Sequence, residues 1–163
     1  MNKLTGINFY AALIFPALVL VSCAGGASFK KGSGAEFKAV QGKEWILQQI
    51  KSQGKTITID RKKLDANNMG GAFTISFEDG MVTGMGAPNR YRGPYTVDSN
   101  NKLNIGLLAS TMMASFYEPE ELKEKQFTDY LSSAKNWDIR SKKLYLYTAN
   151  SAGEDTVLVF DSK

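Results

Sequence analysis

The sequence predicts a mainly β fold: a small antiparallel, barrel-like sheet with one packing α-helix, α+β by content. Three observations predict it. Short segments with alternating apolar and polar residues recur at hairpin spacing through residues 45–161. Turn dipeptides such as Asp79-Gly80 separate them. A single stretch near residues 118–134 carries apolar side chains at helical spacing instead.

Taken in order, residues 45–50 form a short apolar-rich segment that ends before Gly54. Residues 55–60 alternate, which puts Ile57 and Ile59 on one face. Residues 61–71, with Asn67-Asn68 and Gly70-Gly71, read as a polar loop. Phe73, Ile75 and Phe77 then alternate with Thr74 and Ser76 as a half-buried strand does. Asp79-Gly80 marks a tight hairpin, and residues 81–85 are its return strand, with Gly84 at a bulge or a close approach. Strands follow at 93–97 and 103–107, split by Asp98-Ser99-Asn100-Asn101, with Leu103, Ile105 and Leu107 sharing a face. The helix comes next. Pro119 suits the first helical position, and Glu118, Glu120, Glu121 and Glu124 suit the positive end of a helix dipole. Phe127, Tyr130, Leu131 and Ala134 fall at i, i+3, i+4 and i+7, one buried face that caps the sheet. Residues 137–140, 143–148 and 156–161 complete the strands, with Tyr145 and Tyr147 opposing Leu144 and Leu146. The large inward candidates Phe73, Phe77, Trp137 and Phe160 favour a barrel filled by its own side chains over one that holds a ligand.

The chain has 163 residues, room for one ordinary domain. Its formal charge of +4 is a mild excess that gives no ground for a nucleic-acid partner. There is no histidine, which excludes histidine triads, histidine general bases and histidine metal ligands. Cys23 is the only cysteine, so the chain has no internal disulfide, and the domain after it has no cysteine nucleophile or cysteine-ligated zinc. No cofactor and no metal site is expected.

That lone cysteine ends an apolar leader. Residues 7–21 follow Lys3 as a largely apolar run of 15, shorter than the roughly 20 residues a membrane-spanning helix needs, and Pro16 interrupts it. The run closes on Leu20-Val21-Ser22-Cys23, which resembles the bacterial lipobox. The resemblance implies a diacylglycerol thioether on Cys23, cleavage between Ser22 and Cys23, and acylation of the new amino terminus. An ordinary secretory signal with an incidental cysteine, or a retained anchor, are the alternatives. Residues 1–22 are accordingly read as a lipoprotein signal peptide, 23–42 as the lipidated cysteine and a flexible tether, and 43–163 as the domain. Gly, Ser, Ala and Lys dominate residues 24–39 without periodicity, a spacer with a mean reach of about 20–24 Å. Lys30, Lys31 and Lys38 either keep it soluble or touch anionic headgroups. The expected address is the cell envelope, lipid-anchored. With two membranes it is the periplasmic face of the outer membrane or the cell surface, since Ala24 is not a retaining aspartate.

Gly86-Ala87-Pro88-Asn89-Arg90-Tyr91-Arg92-Gly93 resembles the glycine-cysteine-asparagine-x-aromatic-x-glycine segment of META domains, the HslJ-like family. Thr111-Met112-Met113-Ala114-Ser115 is similar to that family's threonine-x-methionine-alanine-cysteine segment, and Glu124 and Phe127 match the glutamate and aromatic of its helix. Leu144, Leu146 and Val157-Leu158-Val159-Phe160 resemble its closing strands, and the order agrees over residues 44–161. Pro88 and Ser115 stand where many members carry cysteines, so a cysteine-dependent role does not carry over. The resemblance implies a barrel-like domain of envelope or secreted proteins, often lipoproteins, linked to stress responses and virulence, with no general enzymatic activity.

No catalytic residue is expected. Ser132-Ser133-Ala134-Lys135 contains a serine-x-x-lysine, but its companion motifs are absent. The glutamates at 118, 120, 121 and 124 read as a solvated helix start, and Met112 and Met113 as core. Asn89 and Tyr91 are expected to hold a bend. Arg90 and Arg92, alternate residues on one face of an extended stretch, are the candidate partner-binding pair. The function expected is a non-enzymatic envelope lipoprotein that binds a protein or assembly component; the alternative is a small lipid- or ligand-binding barrel.

Cys23→Ala should leave the protein without acyl mass and the precursor largely uncut by the lipoprotein peptidase. Intact mass spectrometry of membrane-extracted protein reads both. A wild-type amino terminus without acyl mass would remove the anchor.

Overall fold

The computed structural model describes residues 34–114 and 117–163. The expected signal peptide, its expected cleavage site and Cys23 lie outside the described residues. No described helix is long and apolar enough to cross a membrane.

The strands are β1 (Glu44–Ser52), β2 (Lys55–Thr58), β3 (Thr74–Glu78), β4 (Met81–Met85), β5 (Arg90–Asp98), β6 (Lys102–Ile105), β7 (Ala109–Ser110), β8 (Asn136–Arg140), β9 (Lys143–Ala149) and β10 (Asp155–Ser162). The helices are α1 (Gly34–Phe37), α2 (Arg61–Ala66) and α3 (Glu124–Ser132). The path β10-β9-β8-β6-β5-β4-β3-β1 closes on itself through β1–β10, giving an antiparallel barrel of eight strands. Two short strands hang on it. β2 pairs with the end of β1, and β7 pairs with the start of β5.

Tight turns set the register. Gln53-Gly54 and Asp79-Gly80 both have positive φ at each residue (47° and 74°, 47° and 75°), the conformation that matches the twist of a two-residue hairpin. β1 serves two neighbours on one edge: Glu44, Trp45 and Ile46 pair with β3, and Gln49 to Ser52 with β2. A register shift between Leu47 and Gln49 bends the strand between these partners.

The interior is filled. Trp45, Phe73, Phe77, Phe127, Trp137 and Phe160 are all fully buried. Two aromatic clusters occupy opposite ends of β5. At one end the Phe37 ring lies 5.2 Å from Phe77, 4.8 Å from Trp137 and 5.6 Å from Tyr95. At the other, Phe127 meets Phe73 at 5.3 Å and Tyr91 at 6.0 Å, edge to face. The barrel has a weak seam where β6 and β8 share one paired position, Lys102 with Asn136. Helix α3 lies beside that seam against β6 and β9. It buries Phe127 and Leu131, and its Tyr130 carbonyl accepts a 2.6 Å hydrogen bond from Thr148.

Several expectations need correction. The expected tether runs through residue 42, yet Phe37 and Val40 are buried in the barrel end, so residues 37–42 belong to the fold. A glycine-rich stretch hid two apolar anchors too sparse to give a period. Residues 61–66 are helical, not loop: Asp60 caps α2 by accepting from Lys63 N at 3.0 Å, and Leu64 alone is buried. Pro119 is buried before the helix rather than at its first position, and α3 begins at Glu124 after Lys123 N donates to Gln126 Oε1 at 3.0 Å. Ile57 and Leu107 do not share the burial of their alternates. β2 is exposed along its length, and β6 stops at Ile105, where Gly106 N turns to bond Pro94 O at 2.8 Å.

Phe37→Ala should cost about 3–5 kcal/mol, the price of emptying an aromatic site in a packed core. Urea denaturation of the purified protein measures it. A change below about 1 kcal/mol would return residues 34–40 to the tether.

Candidate functional site

The connection between β4 and β5 is a tight bend, Gly86-Ala87-Pro88-Asn89, with a cis peptide at Ala87–Pro88. Its polar groups are gathered by one side chain. Glu124, the first residue of α3, accepts from Ala87 N (3.1 Å) and Asn89 N (2.8 Å) on Oε1, and from Asn89 Nδ2 (2.8 Å) on Oε2. Asn89 passes the contact onward. Its Oδ1 accepts from Met113 N (2.6 Å) and Thr111 Oγ1 (2.9 Å), and its Nδ2 also donates to Met113 O (3.2 Å). The bend, α3 and the segment after β7 are thereby one unit. Gly86 is required there, because a Cβ would stand 2.3 Å from Glu124 Oε1.

Tyr91 anchors the strand that leaves the bend. Its hydroxyl donates to Thr74 O at 2.6 Å, and burial pushes its phenol pKa well up, so it stays a neutral donor. Gly84 makes room: a Cβ there would meet Thr74 O at 2.0 Å and the Tyr91 hydroxyl at 2.4 Å, which is the close approach that the sequence marked.

With Asn89 and Tyr91 buried, Arg90 and Arg92 point outward from β5, as the alternation predicts. The register lays out the face around them. Glu44, Ser76, Thr83, Arg92 and Ala109 stand in one row across β1, β3, β4, β5 and β7. Met85 and Arg90 adjoin in the next row. These residues line a groove of about 880 Å³ whose far wall is the Lys163–Glu44 ion pair at 2.8 Å. The two guanidinium groups have no hydrogen-bond or ion-pair partner among the described residues. The other two arginines have partners, one half-buried and one exposed. Arg61 donates to Ala72 O (2.9 Å) and Gly70 O (2.6 Å), and Arg140 pairs with Asp138 at 2.7 Å and lies over the Tyr145 ring.

The expectation that Met112 and Met113 are core is wrong. They are 99% and 63% exposed, and Leu107 is 91% exposed. The segment is held by its backbone, through Met113 N and O on Asn89, so its side chains are left outside. A second groove of about 650 Å³ separates this segment from α3, lined by Leu108, Met112, Met113, Lys125 and Thr128, and it shares Ser110 and Thr111 with the first.

The acidic helix start is also not one solvated cluster. Glu118 pairs with Lys123 at 2.6 Å, and Glu124 is the clamp just described. Among the described residues no group of three or more acids stands close enough to hold a metal ion. Sequence reasoning missed Glu124 as an organiser, because its partner Asn89 lies 35 residues away. It also missed Ser110, Lys163 and Glu44.

A family model described as the META domain matches residues 38–163. No curated protein matches the sequence. Two solved structures share the fold. The NMR structure of a protein from Burkholderia xenovorans is 17% identical, with a TM-score of 0.58 over 98% of this chain and 99% of that one. The crystal structure of a DUF4847 family protein from Bacteroides vulgatus is 16% identical, with a TM-score of 0.53 over 77% of this chain and 96% of that one.

Asn89→Ala should cost about 1–3 kcal/mol, because it removes the Nδ2 bond to Glu124 Oε2 and leaves the Met113 amide without its acceptor, while the two backbone donors to Glu124 stay in place. Chemical denaturation gives the loss, and amide exchange at Met113 should speed up. Unchanged exchange at Met113 would break the proposed link between bend and segment.

Proposed function

The chain belongs to the META domain family, and from that premise we propose that it is a lipid-anchored protein of the cell envelope whose barrel binds another envelope protein or assembly component. The role is recognition rather than catalysis, in a setting of stress response or virulence, and the anchor is the acylated Cys23. The observation that carries the reading is the pair Arg90 and Arg92. The other arginines are engaged, Arg61 by two carbonyls and Arg140 by Asp138, unlike Arg90 and Arg92. These two stand side by side at the mouth of an open groove with no such partner among the described residues. Arginine is favoured at protein interfaces because its planar fork pairs with carboxylates and stacks on aromatic rings.

The interior argues against the alternative of a ligand-holding barrel. Phe37, Phe77, Tyr95 and Trp137 fill one end and Phe73, Tyr91 and Phe127 the other. A lipid that co-purifies at full occupancy in native mass spectrometry would reverse that preference.

Arg90→Ala combined with Arg92→Ala should weaken crosslinks to the partner in intact envelopes. Stability should change by no more than about 0.5 kcal/mol, as for surface positions without structural partners. A full set of native crosslinks in the double variant would eliminate this surface, and a large loss of stability would make the arginines structural.

A further inference from the structure

The barrel wall has an open edge beside the arginines. β7 pairs with β5 alone among the described residues. Thr111 N donates to Arg90 O at 3.0 Å and Arg90 N donates to Thr111 Oγ1 at 3.2 Å, so these two residues face each other with their backbone groups turned inward between the strands. Antiparallel ladders alternate bonded and non-bonded pairs. The neighbouring pair, Tyr91 with Ser110, is therefore non-bonded, and the N–H and C=O of Ser110 point away from β5. They point toward the side where the groove against α3 opens, with Leu108, Met112 and Met113 along it. Edges of this kind are templates for another strand unless charge or covering blocks them. Here nothing bulky intervenes on the outer face, since the residue of β7 opposite Arg92 is Ala109.

We propose that β7 accepts an extended acidic segment of the protein partner as an added strand. The inference rests on the reading that Arg90 and Arg92 form a partner surface, and it names what that partner presents. The added strand lies two strand spacings from β5, about 10 Å. An extended arginine reaching across Ala109 and a carboxylate side chain reaching back span that gap together. Charge complementarity selects the occupant: two guanidinium groups without described partners call for carboxylates on the outward face of the strand. Its other face enters the groove along Leu108, Met112 and Met113, and methionine adapts to apolar side chains of varied shape. Side chains alternate along a strand, so the segment alternates acidic and apolar residues. Main-chain bonds to Ser110 supply affinity and the two faces supply specificity.

The test uses the full-length protein in detergent micelles and a short fluorescent peptide that alternates glutamate and valine. Controls are a peptide of the same composition in two blocks and one that alternates lysine and valine. Fluorescence anisotropy should show the alternating acidic peptide binding at least about tenfold more tightly than either control. Removing both arginines should weaken it by a similar factor. Amide exchange at Ser110 should slow when the peptide binds, a readout on the unmutated chain that does not depend on any variant folding. Ser110→Pro, which removes the outward N–H and leaves the bonded pairs on either side, should abolish binding. Equal binding of the block peptide, or unprotected Ser110 in the complex, overturns strand addition. So does arginine-dependent binding to phosphatidylglycerol vesicles without peptide binding, which would make the face a membrane contact. If the double arginine variant loses its native crosslinks while Ser110→Pro keeps them, the partner surface stands and the added strand falls.

Discussion

One carboxylate organises the end of the barrel that carries the candidate site. Glu124 takes three N–H donors from the bend before β5, two of them backbone amides that no strand partner serves. A carboxylate is the right group because it is an acceptor only, and its charge makes each bond stronger than a neutral one. An amide in its place would turn a donor toward the bend. Asn89 is the complementary choice. Its Nδ2 faces the carboxylate and its Oδ1 faces Thr111 and Met113, so one side chain satisfies groups of both signs. Aspartate at that position would set a second negative charge against Glu124.

The freedom of the arginines follows from this arrangement. The bend and the start of β5 are held from inside, by Glu124, Asn89 and Tyr91, so the outward side chains have no structural task. Arg90 contributes its backbone, donating to Thr111 Oγ1 at 3.2 Å and accepting from Thr111 N, and leaves its guanidinium unused. The same logic exposes Met112 and Met113. A segment pinned by main-chain bonds can turn apolar side chains to solvent, at a cost that a partner contact would offset.

Legibility in the sequence tracked how local each signal was. Phe73, Ile75 and Phe77 announced a strand because period-two alternation is a property of neighbours, and Asp79-Gly80 announced its hairpin for the same reason. Phe127 and Leu131 revealed the buried face of α3, although the start of that helix was placed too early because Pro119 and its glutamates match helix-start chemistry equally well. α2 was invisible, since Leu64 is its single buried residue and one residue has no period. Phe37 was masked by glycine and lysine around it. In the site, the outward pair Arg90 and Arg92 was readable from alternation, and Asn89 from its place beside proline and glycine. The Glu124 clamp and the edge at Ser110 were not, because each depends on residues brought together by closure of the barrel.

The two ends of the barrel divide the work. Phe37, near the first described residue, packs tilted against Tyr95, while Arg90 begins the same strand at the other end, five residues back, about 17 Å in extended geometry. Between Cys23 and α1 lie the ten residues 24–33, which reach at most about 33–36 Å. The anchor proposed at Cys23 would therefore hold the domain within that distance of a membrane, on the side of Phe37. The arginines, the exposed methionines and the open edge of β7 stand at the end that the tether does not enter. A barrel filled by its own side chains has no interior to offer a ligand. What the domain presents is its outer surface, and the Glu124 clamp ties the bend to α3 where the arginines emerge.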